Sequence, residues 1–388
     1  MPYQDPHLKQ SLSGGIYNPG PSKQEVQAAQ QRAFLRTPLR GNRHVAVVSM
    51  AGGVGKTITA GFLGQAWGEA RGDRVCAIDA NPDAGNLAER FAGQATVGAD
   101  GRPVRALLTV RDLLTDDAIA PVDSVADLSN YMTIAGRLHI LPAPTSVDDV
   151  LSAQEYRRAQ AIADRFYNLT IIDTGTSIAH ETHRAILELA DDLVFVVGPS
   201  MDAARRVKAM MDDLQARGYG DLLARATVMV ITRSSAESSL ARSRRGGGVD
   251  PATLASYFAR RVRDVVRVPY SRGLSDGMAA DFAQLSEDIR APYLQAAAGI
   301  AAHFNGPKTP APILSRQRVP RVTSAQAVRG RRWPGLGART KAGEPLPPAT
   351  MKVTTSSGQD IQDLNQLDEL DTLPRYGRRE EYLNDRRD

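Results

Sequence analysis

Eight residues, Met50-Ala51-Gly52-Gly53-Val54-Gly55-Lys56-Thr57, limit what this chain can fold into more than any other stretch. They follow the apolar run His44-Val45-Ala46-Val47-Val48-Ser49 and open a helical pattern from Lys56 through Trp67. A strand that turns through glycines into a helix leaves backbone N–H groups at the helix start, where they curl round phosphate oxygens. Gly52, Gly53, Val54, Gly55, Lys56, Thr57 and Ile58 form the expected nucleotide-contacting set, with the three glycines as the backbone cradle. Lys56 is placed to reach the β- and γ-phosphates as a point charge, and Thr57 to set its hydroxyl on Mg²⁺.

Such a loop belongs in an α/β protein, and the rest of the chain agrees. Strands are predicted at 44–50, 74–79, 137–141, 168–173, 192–197 and 226–232, with a short one at 265–268. Helices are predicted at 56–70, 151–166, 179–190, 202–217, 251–263 and 279–303. The alternation implies a doubly wound, mostly parallel sheet with helices on both faces. Segment 92–136 reads as a long insertion with a helical piece near Val110–Leu114. Residues 1–40, rich in Gly, Pro, Gln and Ser, read as a flexible arm with a short helix around Lys23–Phe34. The nucleotide-binding domain is expected over 41–305, and 306–388 as a disordered polyampholyte tail.

Composition narrows the classes. The 388 residues are 42% hydrophobic and carry one cysteine, Cys76, within the apolar run Arg74–Ile78. That excludes an internal disulfide framework and fits a reducing cytosol, with Cys76 a small buried hydrophobe. No apolar stretch approaches the ~18 residues a spanning helix needs. Met1–Gln10 has no apolar h-region, so a cytoplasmic protein without a secretory signal is expected. The net charge of +5 is unevenly placed. Arg316, Arg318, Arg321, Arg329, Arg331, Arg332 and Arg339 fall in an acid-free stretch, and Asp360, Asp363, Asp368, Glu369 and Asp371 follow.

Two further strand ends carry chemistry. Asp79 closes the second strand, and a carboxylate at the C-terminal end of a parallel strand faces the crevice where ligands bind. Asp79 is therefore a candidate for the Mg²⁺ shell. Leu169-Thr170-Ile171-Ile172-Asp173, followed by Thr174-Gly175-Thr176, gives Asp173 as the second metal-side carboxylate. Gly175 would let the backbone approach a γ-phosphate. The stretch Ile231-Thr232-Arg233-Ser234-Ser235 lacks the carboxylate that guanine-specific loops carry, so adenine, and hence ATP with Mg²⁺, is the expected ligand.

The glycine loop resembles the K-G-G-x-G-K-T form of the MinD/ParA ATPases, since Met50 replaces the usual first glycine. Residues from about 35 to 303 carry the likeness, implying a P-loop NTPase fold. In that family the opening lysine reaches nucleotide on a partner subunit, which implies a homodimer on nucleotide binding; here the position is Ala51. The family's switch reads D-x-D-P, its second aspartate orienting the attacking water; here it is Asn81, an amide that can hold water but not take up its proton. Asp83, two residues on, would substitute if the loop bends inward, and Asn81-Pro82-Asp83 also fits a plain turn with an Asx cap. Thr232 stands where the family places a base-contacting Asn, and Val268-Pro269-Tyr270-Ser271-Arg272 resembles its base-covering loop. Within the superfamily the flanks are similar to actinobacterial MinD-like proteins associated with type VII (ESX) secretion. The residues are Arg36–Gly41, Asn86–Arg90, Ile172–Thr176, Pro199–Arg205 and Val268–Tyr270.

Three functions follow as expectations. The first is an ATP–Mg²⁺ switch acting on a partner such as a secretion-apparatus protein, with slow or partner-dependent hydrolysis. The second is a DNA-partition or positioning ATPase. It would use Arg242, Arg244 and Arg245, a helix bearing Arg260, Arg261, Arg263 and Arg267, and the basic tail around Trp333. The third is a pseudo-ATPase scaffold, motivated by Ala51 and Asn81.

Overall fold

Apolar hexapeptides become strands buried on both faces. The computed structural model of the chain describes residues 22–82, 85–92, 108–144, 146, 149–176, 180–198, 200–232, 250–275, 280–306, 353–354 and 360–361. The main sheet is built from Arg43–Val48 (β1), Val75–Ala80 (β2), Thr133–Ala135 (β3), Leu138–Leu141 (β4), Leu169–Thr174 (β5), Asp192–Val197 (β6), Thr227–Ile231 (β7) and Asp264–Val268 (β8). Their order is β3-β4-β2-β5-β1-β6-β7-β8, and every pairing is parallel except β3 with β4. Strands β1, β2, β5 and β6 are buried at every residue, as the centre of a doubly covered parallel sheet requires.

The helices are Lys23–Leu35 (α1), Lys56–Arg71 (α2), Leu87–Ala92 (α3), Val110–Ile119 (α4), Val125–Ser129 (α5), Ala153–Ala163 (α6), Glu181–Leu189 (α7), Met201–Ala216 (α8), Gly220–Arg225 (α9), Pro251–Phe258 (α10), Arg272–Ser275 (α11) and Glu287–Ala301 (α12). Val45, Val47, Ile171, Val194 and Val196 share one core with Phe62, Leu63 and Trp67 of α2 and Tyr293, Ala297 and Ile300 of α12. Their neighbours along each strand, such as Ala46, Ile172 and Phe195, are equally buried and point the other way. Helices α6, α7 and α8 lie against that second face. Helix α2 settles close because glycines form one stripe along it. A Cβ at Gly61 would meet the Phe91 ring at 2.1 Å, and one at Gly64 would meet Leu138 at 2.6 Å.

Several element boundaries differ from the sequence-based expectation. Helix 279–303 is a 3₁₀ turn at Phe282–Gln284 followed by α12, which starts only after Ser286. Helix 251–263 stops at Phe258, so Arg260, Arg261, Arg263 and Arg267 do not share a helix face; Arg267 lies in β8. Within the insertion, 108–136 folds into α4, α5 and the antiparallel edge strand β3. Two capping devices start α4 and α5. Thr109 and Asp112 form a reciprocal capping box, and Ser124 accepts from the Asp127 N–H.

The described part of the arm packs on the domain, which therefore reaches back beyond residue 41. Leu35 is in the core. Arg36 Nε donates to the Ala70 carbonyl at 2.9 Å, Arg71 to Thr37 at 2.5 Å, and Asn305 to Pro38 at 2.7 Å. By contact the chain divides into a unit of 1–234 with 250–329 and a second of 235–249 with 330–388. The second is described only where Val353–Thr354 pairs antiparallel with Asp360–Ile361. The arginines at 242–245 and the basic stretch with Trp333 lie outside the described residues.

Candidate nucleotide-binding site

The site forms where the C-terminal ends of β1, β2 and β5 meet the start of α2. Helix α2 begins after Gly55, whose φ of 94° is left-handed, and no side chain among the described residues caps its first N–H groups. Gly53 also has a positive φ, 71°, and a Cβ on Gly52 or Gly53 would meet nothing within 4 Å. The glycines thus form an exposed crest of backbone over an uncapped helix end, which suits phosphate oxygens. Ser49 shapes the loop by accepting from the Ala51 N–H at 3.2 Å. Val54 lies against Gly198 at the end of β6, while Ile58 is buried in the core, so its side chain serves packing.

Register places the acids. On adjacent strands Asp79 pairs with Asp173, and both side chains are fully buried. Lys56 is 7% exposed, and its Nζ reaches Asp173 Oδ1 at 2.5 Å. Asp173 Oδ2 is buried without a hydrogen-bond partner among the described residues. Asp79 Oδ1 accepts from the Asn81 N–H at 3.2 Å, and its Oδ2 from the Leu87 N–H at 3.0 Å. Burial and the neighbouring Asp173 charge push the Asp79 carboxyl up to about 7, against those N–H donors and Lys56. Two carboxylates, one with an oxygen unclaimed, beside a half-buried Thr57 form a hard-oxygen set suited to Mg²⁺. The loop offers donors for phosphate, so both groups fit. Thr57, Asp79 and Asp173 would hold the metal, and Lys56 would leave Asp173 for phosphate.

The two loops beyond these acids touch. A Cβ at Gly175 would lie 2.4 Å from Pro82 Cδ and 3.2 Å from Asn81 Oδ1. Gly175 is thus required by the Pro82 ring packed against it, a constraint the sequence did not reveal. Asn81 stands at this contact, beside a recess lined by Pro82, Pro144, Val150 and Leu151. Asp83 lies outside the described residues. Gly85 covers the other acid: a Cβ there would meet the Asp79 oxygens at about 2 Å.

The Thr232 N–H donates at 2.8 Å to the carbonyl of Val268, the residue before Pro269, and a Cβ on Gly55 would lie 4.0 Å from Ile231 Cγ1. His183 in α7 was not anticipated. It is buried with Nε2 unpartnered among the described residues, and burial, then the Lys56 charge, lowers its pKa to about 4. The arginines considered for nucleic acid are partly committed elsewhere. Arg261 pairs with Asp212 at 2.8 Å and lies over the Tyr257 ring, and Arg263 pairs with Asp192 at 3.3 Å.

An open parallel sheet with an uncapped glycine loop, a buried lysine and paired acids at its C-terminal edge defines a P-loop nucleotide-binding protein. Residues 45–245 match the family model of the CobQ/CobB/MinD/ParA nucleotide binding domain, and the chain belongs to that family. The ESX-1 secretion-associated protein EspI of Mycobacterium tuberculosis is 29% identical over 291 residues, covering 74% of this chain and 40% of that protein. The same protein from a second strain matches equally. This chain therefore spans 40% of the length of these curated relatives. Among solved structures, a ParA family ATPase from Chlorobium tepidum TLS is similar, with a TM-score of 0.51 and 18% identity. That likeness covers 66% of this chain and 98% of the other, and it speaks to the fold alone. No helix among the described residues is long and apolar enough to cross a membrane.

Proposed function

We propose that this protein is a cytoplasmic ATP–Mg²⁺-dependent switch that binds nucleotide and hydrolyses it slowly or only with a partner. One observation carries the reading. Lys56, Asp173 and Asp79 are brought together beneath an uncapped glycine loop, with Asp173 Oδ2 unclaimed. Lys56, Thr57, Asp79 and Asp173 support nucleotide binding in this reading, whereas Ala51 and Asn81 stand where the family sequence carries Lys and Asp. A preorganised cation at a phosphoryl-transfer site can be worth on the order of 10³–10⁵ in rate, so binding without efficient turnover is the expected behaviour. Similarity to EspI supports a secretion-apparatus protein as the partner. A nucleotide-dependent homodimer is part of the same reading, as the family pattern implies. The ion pairs of Arg261 and Arg263 weigh against a nucleic-acid surface there.

Calorimetry with ATP and Mg²⁺ tests binding. Micromolar or tighter affinity is expected, lost in Lys56→Ala; no heat from the native chain refutes the proposal. Ala51→Lys combined with Asn81→Asp should raise the hydrolysis rate at least tenfold. Turnover by the unmodified protein alone at rates of about 1 s⁻¹ or more, ordinary for an enzyme, would contradict the slow-hydrolysis part.

A further inference from the structure

Helix α3 joins two parts of the site that lie far apart in sequence. Its first residue, Leu87, donates its N–H to Asp79 Oδ2 at 3.0 Å, so whatever the Asp79 carboxylate binds is felt at the start of this helix. One turn on, Arg90 takes hold of the limb that leaves β8 past Pro269. Its Nη2 donates to the Leu274 carbonyl at 2.6 Å, and its own carbonyl accepts from the Ala280 N–H at 2.6 Å. The partners lie 184 and 190 residues away in sequence, and one residue binds both. The same limb is fastened to α2, where Gln65 accepts from the Phe282 N–H at 3.0 Å. Phe91 and Phe282 both pack on Phe62, with ring centroids 5.3 and 5.9 Å away. At its root the limb stands beside the cradle: Val268 bonds Thr232, and Ile231 faces Gly55. A nucleoside extending from the loop toward the ends of β7 and β8 would lie next to that root.

We propose that Arg90 is a positioning residue that couples the metal side of the site to its nucleoside side. Through α3 it ties the limb at Leu274 and Ala280 to Asp79, so that a cation at the carboxylates and a nucleoside beside the limb favour each other. Coupling of this kind is a free energy shared by two ligands, and it is reciprocal. Arg90 touches neither group. It acts through the limb and through α3. The inference rests on the ATP–Mg²⁺ reading above.

The test measures four affinities by calorimetry on the full chain: ATP and inorganic tripolyphosphate, each with and without Mg²⁺. Tripolyphosphate fills the phosphate cradle and has no nucleoside. In the wild type, Mg²⁺ should tighten ATP at least about fivefold more than it tightens tripolyphosphate. In Arg90→Ala that ratio should fall to about one, and in Arg90→Lys, which keeps the charge and a donor, to an intermediate value. Each ratio is internal to one variant, so a general loss of stability cancels; if the alanine variant does not fold, the lysine variant decides. An unchanged ratio in the variants overturns the proposal. A wild-type ratio of one overturns it while leaving the switch reading intact, and a wild type that binds no ATP removes both.

Discussion

The two ends of strand β1 treat buried charge in opposite ways. At its N-terminal end Arg43 is 4% exposed and commits its guanidinium to protein acceptors. Nη1 pairs with Asp191 at 3.2 Å, Nη2 donates to Gly306 at 2.8 Å, and Nε donates to Phe304. His44 follows, with Nε2 on Asp164 at 2.8 Å and Nδ1 on the Leu189 carbonyl at 3.0 Å. At the C-terminal end Lys56 meets Asp173, Asp79 lies alongside, and one carboxylate oxygen has no hydrogen-bond partner among the described residues. The first arrangement closes the fold, because Arg43 ties Asp191 to carbonyls of the turn that follows α12. The second crowds two acids round one lysine, an arrangement a cation would complete. Buried charge completed within the chain serves stability, and buried charge left incomplete marks a ligand site.

This contrast can be broken by mutation. Arg43→Ala should have the largest effect, about 3–5 kcal/mol in chemical denaturation, because it removes the buried cation that Asp191 pairs with and the donor to the Gly306 carbonyl after α12. A cost below about 1 kcal/mol would show that the network is not what closes the fold. Gly175→Ala at the other end should cost about 1–3 kcal/mol, since its methyl meets Pro82 at 2.4 Å. Pro82→Ala in the same chain should recover most of that loss, and no recovery would mean that the contact is unimportant.

A smaller effect is expected from pH. Burial works against the His44 cation, but the Asp164 hydrogen bond and charge, with Leu189 and Asp191, outweigh it and raise its pKa. The stabilisation is therefore full below the unfolded value near 6.5 and is lost as pH rises through the folded value. His44→Gln should flatten that part of the stability profile; an identical profile would assign the slope elsewhere. The smallest stability change should come from Asp79→Asn, less than about 1 kcal/mol at pH 8, because lost hydrogen bonding is offset by relief of the Asp173 repulsion. The wild-type carboxyl holds its proton up to about 7 in the fold, where the unfolded chain has already lost it, so ligand-free stability should fall as pH rises toward 7. The Asn variant should lack that fall while losing Mg²⁺-dependent ATP affinity. A large stability loss in this variant would erase the distinction between the two ends.

Much of the fold could be read from local pattern. The strands at 44–50, 74–79, 168–173 and 192–197 declared themselves because a strand buried on both faces must be apolar throughout. Strand β3 did not, since an edge strand of Thr-Ile-Ala with Ile134 54% exposed has neither the length nor the pattern. Arg260 to Arg267 looked like a helix face because arginine tolerates a helix well, yet the chain leaves the helix at Phe258 to enter β8. In the site, Lys56, Thr57, Asp79 and Asp173 were legible from strand ends and the glycine loop. Pro82, Gly85 and Arg90 were not, since their roles depend on residues that only the folded chain brings beside them.

The sequence by itself determined the cradle. Three glycines, a lysine and a threonine between an apolar run and a helix leave the backbone few other conformations, and that local fact needs no distant partner. It also determined which family residues are replaced, Ala51 and Asn81. Only the tertiary structure decided the register that sets Asp79 against Asp173, the packing of Pro82 on Gly175 and the grip of Arg90 on Leu274. These contacts join residues 93 to 184 positions apart. Burial and repulsion arise there from neighbours across the sheet, so the charge balance of the site belongs to the fold and not to any one segment.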